Sequence, residues 1–120
     1  MKVVKESYSI DLSQPGFIHI HHVQLLDSGV DMGGAMWFER ANLRWVVDTL
    51  RACINTYAFP EAAQQSGQDS FIVNESGPEQ APIINLRNRR PKDAPHGGAF
   101  TLAMSKPVAE KLVAELGAIR

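Results

Sequence analysis

One cysteine, Cys53, stands in a chain of 120 residues. A lone thiol excludes an intramolecular disulfide and any metal cage built on cysteines, and it suits a reducing compartment. Long apolar runs are missing too. Stretches such as "WVV" fall far short of the roughly 20 residues a membrane helix needs. Neither sign of charge is in excess: 12 Lys and Arg against 13 Asp and Glu leave a net charge of -1. No global positive field therefore draws the chain to nucleic acid or an anionic membrane, and such binding would need a local patch. The opening "MKVVKESYSIDLS" alternates apolar and polar residues where a signal peptide would have an apolar stretch, so the chain reads as cytoplasmic with no membrane partner. Catalytic signatures are absent as well. "HGG" at His96 has no G-x-S-x-G elbow to accompany it, and "GVDMGG" lacks the glycine spacing and the lysine of a phosphate loop. The expectation is a protein that binds and does not catalyse, with no cofactor.

What is present is a change of hydrophobic period, made twice. From Val4 to Leu12 apolar and polar residues alternate, as in a half-buried strand. "SQPG" turns the chain. "FIHIHHVQLL" predicts a second strand whose alternation breaks at His21 and His22, consistent with a central position or a bulge. "DSGVDMGG" leads to a short strand from Ala35 to Phe38. Leu43, Val46, Val47, Leu50, Cys53, Ile54 and Tyr57 then follow the spacing of one buried helix face, capped at Asn42 and stopped before Pro60. On that stripe Cys53 behaves as a small hydrophobe.

"EAAQQSGQD" reads as a polar linker, after which the programme recurs. "SFIVNES" and "APIINLRNRR" are strand-like, and Phe100, Leu102 and Met104 alternate with Thr101 and Ala103. Ser105 is placed to cap a last helix with Pro107 in its first turn and a stripe of Ala109, Leu112, Val113, Leu116 and Ile119. Gly-Gly-Ala occurs at Gly33 and again at Gly97, which suggests a hinge before the last strand of each half. The expected fold is α+β: one domain of two similar β-β-β-α units, a possible internal duplication, with antiparallel sheets and two helices on one face. The halves are 1–58 and 69–120, joined by a linker at 59–68.

Paired sheet-and-helix units of this kind resemble in layout the single-stranded nucleic acid binders of the whirly and PUR type, a likeness of architecture that no sequence motif accompanies. Such binders combine a cationic groove with aromatic stacking platforms. Arg87, Arg89, Arg90 and Lys92 form the one dense basic stretch, while Phe17, Trp37 and Phe100 offer aromatic surface. His19 and His21, two apart on a strand, point the same way and would share a metal ion if His96 or an acid such as Asp27, Asp31 or Glu39 joined them. The leading expectation is a small regulatory protein acting through protein-protein contacts, itself a homodimer. Single-stranded nucleic acid binding and a metal or small-ligand site at the strand histidines are the alternatives.

Overall fold

The computed structural model of the chain describes residues 2–120. Three strands come first: β1 (Val3–Asp11), β2 (Phe17–Leu26) and β3 (Asp31–Glu39). A single 3-10 turn at Arg40–Asn42 leads into α1 (Leu43–Asn55). The second half holds β4 (Ala62–Ser66), β5 (Asp69–Ser76), β6 (Ile83–Arg90), β7 (Gly98–Ser105) and α2 (Lys106–Gly117). Both sheets are antiparallel, ordered β1-β2-β3 and β4-β5-β6-β7. The molecule is thus the α+β fold of two similar strand-and-helix units that the periodicities predict.

The likeness of the units extends to individual core positions. Ile18 pairs with Phe38 and Ile20 with Met36 in the first sheet, while Ile84 pairs with Met104 and Leu86 with Leu102 in the second. All eight side chains are fully buried, and each residue has its counterpart 66 positions on (18 to 84, 38 to 104). Val46, Val47 and Leu50 of α1 stand in the same relation to Leu112, Val113 and Leu116 of α2. Only β1 and its counterpart β5 differ in spacing. Tyr8 faces His22 whereas Phe71 faces Asn88, so the spacing there is 63 (8 to 71). Both still point inward, because directly opposed cross-strand partners share a face of the sheet.

Gly-Gly-Ala does not share this register. Gly33 and Gly34 lie inside β3, whereas Gly97 closes a loop and Gly98 opens β7. Gly34 has its own duty. β3 and β7 belong to different sheets yet run against each other, and a Cβ on Gly34 would stand 2.8 Å from the Thr101 carbonyl oxygen. Absence of a side chain lets the two sheets meet there.

The helices bind the units together. α1 packs on β5 and β6 of the second sheet, α2 on β1 of the first as well as on β6 and β7, and the two helices pack on each other. One continuous core results, running from Ile18 and Phe38 through Leu50 to Leu112 and Leu116.

Four local expectations are revised. The segment read as a polar linker carries β4, an edge strand whose sequence "AAQQS" has no apolar alternation. β3 is longer than Ala35–Phe38 because its start pairs with the end of β2. No bulge interrupts β2 at His21 and His22; the ladder is regular there, and His22 is an inward-facing polar residue. Tyr57 lies beyond the end of α1 and is 72% exposed.

Replacing Gly34 by Ala should destabilise the protein by about 1–3 kcal/mol, since both atoms in conflict are backbone-anchored. Urea denaturation is the measurement, and an unchanged midpoint would show that the sheets do not need this close approach.

Candidate functional site

Strand geometry divides the basic stretch in two. Arg87 and Arg89 are exposed and stand on the outer face of β6, opposite Thr101 and Ala99. Lys92 is exposed in the loop that follows. Asn85 shares their face but is almost covered, donating to the Asn74 side-chain oxygen at 2.9 Å and to the Ser76 hydroxyl at 3.0 Å. Arg90 points the other way, into the protein, and is 2% exposed. It is therefore not available to the same ligand as Arg87 and Arg89.

A buried polar cluster claims Arg90. At its centre is Asp69, fully inaccessible to solvent. Oδ1 accepts from the Asn88 amide at 2.9 Å and from Arg90 Nη1 at 2.7 Å. Oδ2 accepts from the Asn42 amide at 2.7 Å and from the Glu39 backbone N-H at 2.8 Å. The remaining guanidinium donors, Nε and Nη2, reach the Pro95 carbonyl at 3.0 and 2.9 Å. Asn88 also donates to the Trp37 carbonyl and accepts from the Ser70 N-H. Among the described residues no buried side-chain nitrogen or oxygen lacks a partner. A burial this deep is tolerable only with such complete pairing.

The aromatic residues gather on the other sheet. His19 and Trp37 are cross-strand partners on the outer face of the first sheet. The His19 ring lies 3.7 Å from the Trp37 ring at 9°, and the His96 ring 3.6 Å away at 4°. Two rings stacked so closely must occupy opposite faces of the indole. Trp37 thus has no free face on which a base could stack. Phe17 meets His96 edge-on at 4.9 Å and lies under the Arg90 guanidinium, 5.2 Å from its centre. Phe100 is half-buried against the core. Phe17 and Trp37 therefore stand on a different sheet from the arginines, and of the three aromatic candidates Phe100 alone lines a depression with Arg87 and Arg89.

The same stack separates the candidate metal ligands. His19 and His21 do face each other, with ring centres 4.2 Å apart, but His96 lies across the indole from His19. Among the described residues no group of three or more His, Cys, Asp or Glu is placed to hold a metal ion. Asp27, Asp31 and Glu39 are not brought to the pair. Cys53 is buried in α1, and burial together with the charge of Glu75 pushes its thiol up to about 11, so it is not a thiolate at neutral pH.

A second buried acid, Glu6, answers Asp69 across the molecule. Its side chain is 7% exposed, and Oε2 lies 2.6 Å from His22 Nε2. The same oxygen accepts the Ser105 backbone N-H at 3.1 Å. Burial alone would raise this carboxyl, but hydrogen bonds from Ser105, His22 and Gln24 outweigh it and hold the group below its ordinary value. Both acids leave a signal in the strands that face them: His22, Gln24, Asn88 and Arg90 are polar residues at inward positions of strands whose other inward positions are apolar.

Comparison with known protein families and with curated protein sequences finds no match to this chain. Inference therefore rests on its own residues.

Two outcomes are expected from these clusters. Asp69→Ala leaves buried Arg90 only its longer, 3.4 Å contact with the Glu39 carboxylate and should cost about 3–5 kcal/mol. Adding Arg90→Met to that variant should recover part of the loss, and urea midpoints of the two variants that coincide would contradict the pairing. The second outcome concerns pH. Burial, followed by the charge of His21, lowers the His19 pKa, and His96 acts in the same direction against Asp11. The native state then binds this proton less readily than the unfolded chain does, so stability is full above the ordinary histidine value and falls as pH drops through it. Glu6 has the same sign but acts further into the acid range. Between about pH 7.5 and 5.5 the wild type should lose stability that His19→Phe keeps; parallel losses in both proteins would rule His19 out as the cause.

Proposed function

We propose that the chain is a non-catalytic binding protein that holds an acidic segment of a partner protein on the outer face of its four-stranded sheet. The observation that carries this reading is the composition of that face. Its outward positions include Ser70, Ile72 and Asn74 on β5, Arg87 and Arg89 on β6, and Ala99, Thr101 and Ala103 on β7. No carboxylate stands among these, and Glu61, before β4, is held at the margin by Asn74 at 3.3 Å. Both helices pack on the inner side, so this face is uncovered. A depression of about 470 Å³ beside it brings Arg89 and Lys92 together with Gln65, Gln68 and Ser70.

Cations flanked by amide and hydroxyl groups suit a carboxylate-bearing peptide, for which arginine supplies a two-pronged donor. Single-stranded nucleic acid is the second reading. It is less favoured because the outward strand positions named above hold no aromatic side chain, and base stacking provides much of that affinity. A homodimer would form most simply by pairing across the free edges of β1 or β4, leaving the arginine face open. No helix among the described residues is long and apolar enough to cross a membrane.

Fluorescence anisotropy with a labelled Glu-rich peptide and with an oligothymidine of equal length tests both readings. Peptide binding should weaken with added salt and fall about tenfold when Arg87 and Arg89 are both replaced by Ala, as expected for two partly exposed charge contacts. Preference for the oligonucleotide would transfer the face to nucleic acid. Absence of binding by either probe at low salt would remove it as an anionic docking surface.

A further inference from the structure

The two buried acids occupy equivalent positions of the two units. Glu6 faces Gln24 and Tyr8 faces His22, while Phe71 faces Asn88. Aligning His22 with Asn88 therefore aligns Tyr8 with Phe71 and Glu6 with Asp69. Their acceptor roles correspond as well. Glu6 takes the backbone N-H of Ser105 at the start of α2, and Asp69 takes that of Glu39 ahead of α1. Gln24 donates to the Ala103 carbonyl where Asn88 donates to the Trp37 carbonyl, and 103 is again 66 positions after 37.

What differs is the filling around each acid. Beside Asp69 stands Arg90, covered by Phe17 and by the Trp37–His96 stack. Beside Glu6 the three counterparts are smaller or neutral: Gln24 in place of Arg90, Ile83 in place of Phe17, and Ala103 in place of Trp37. The space that a cation and two aromatic rings fill in one unit is, in the other, a cavity of about 730 Å³. Glu6, Gln24, Ile83 and Ala103 all line it, with Val3 and Ile83 exposed at 39% and 38%. The two closest contacts to Glu6, from His22 and the Ser105 N-H, converge on Oε2. Lys106 and Glu110 also line it, offset each other in charge, and stand four apart on α2.

We propose that this cavity is a binding site for a small organic cation, a guanidinium or primary ammonium on an apolar body, whose head takes at Glu6 the place Arg90 has at Asp69. The volume is within the range of small-molecule sites, and the lining combines apolar walls with one buried carboxylate, the usual division between affinity and orientation. A charge-assisted bond to a carboxylate shielded from water outweighs a neutral one of the same shape. His22 shares the acid.

Hexylguanidinium and its uncharged analogue hexylurea are suitable probes, followed by isothermal titration and by the amide resonances of Ala103 and Ser105. Hexylguanidinium should bind saturably and shift both resonances, and hexylurea should bind at least tenfold more weakly. Gln24→Arg should supply the missing cation from within, raising Tm and abolishing binding. Ala103→Trp, which fills the space and leaves Glu6 in place, should also abolish it. Equal binding of the two probes, no saturable binding of hexylguanidinium, or full binding by Gln24→Arg would each overturn the proposal. Neither variant alters Arg87 or Arg89, and Gln24→Arg lies outside the four-stranded sheet altogether, so its result is separable from binding at the arginine face.

Discussion

A carboxylate placed where water cannot reach must have its lone pairs answered by the protein, and in this chain the donors that answer come from the opposite half. Asp69 begins β5 in the second sheet, yet two of its four donors, the Glu39 N-H and the Asn42 amide, belong to the passage from β3 into α1. Glu6 lies in the first sheet and accepts the Ser105 N-H where β7 turns into α2. The first N-H groups of a helix have no partner within the helix. Each unit therefore closes the helix entrance of the other with an acid, from β1 in the first unit and from β5 in the second, and neither helix start is complete in a unit by itself.

Packing follows the same exchange. α1 lies on strands of the second sheet and α2 reaches β1 of the first. The apolar stripe of α1 is thus buried largely on the other half, while that of α2 is shared between both halves. Close crossing of β3 and β7 at Gly34 sets the distance over which Asp69 and Glu6 must reach. An acid on a short side chain reaches its backbone target only if the sheets approach closely. Junction and clasp depend on each other.

This dependence explains which features could be read from the sequence. Strands and helices announce themselves because their apolar faces repeat at periods of two and 3.6, and the paired stripes of α1 and α2 carried the likeness of the halves. β4 escaped notice because "AAQQS" sits at an edge and buries little, so no alternation marks it. Both supposed caps were misleading in detail. Neither Asn42 nor Ser105 caps its helix through its side chain. Asn42 turns its amide to Asp69 and Ser66, and a partner 99 residues away satisfies the Ser105 N-H. Distant pairing of that kind leaves no local pattern. Among the candidate site residues, spacing placed Arg87 and Arg89 on one outward face correctly, as it did His19 with His21. It assigned Arg90 to the same stretch because adjacency in sequence conceals the alternation that turns it inward.

Much of what looked chemically conspicuous is thus used by the architecture. Arg90 neutralises Asp69, Phe17 covers Arg90, and His96 and His19 sandwich Trp37 at the mouth of that cluster. Side chains already engaged on every polar atom or ring face have little left for a ligand. Arg87 and Arg89 on the open sheet, Lys92 in the loop beside them and the apolar hollow next to Glu6 are not used in this way. If the halves arose from one plan, the ancestral site beside the acid existed twice. Beside Asp69 an arginine and two aromatic rings fill that space, whereas beside Glu6 it stands open.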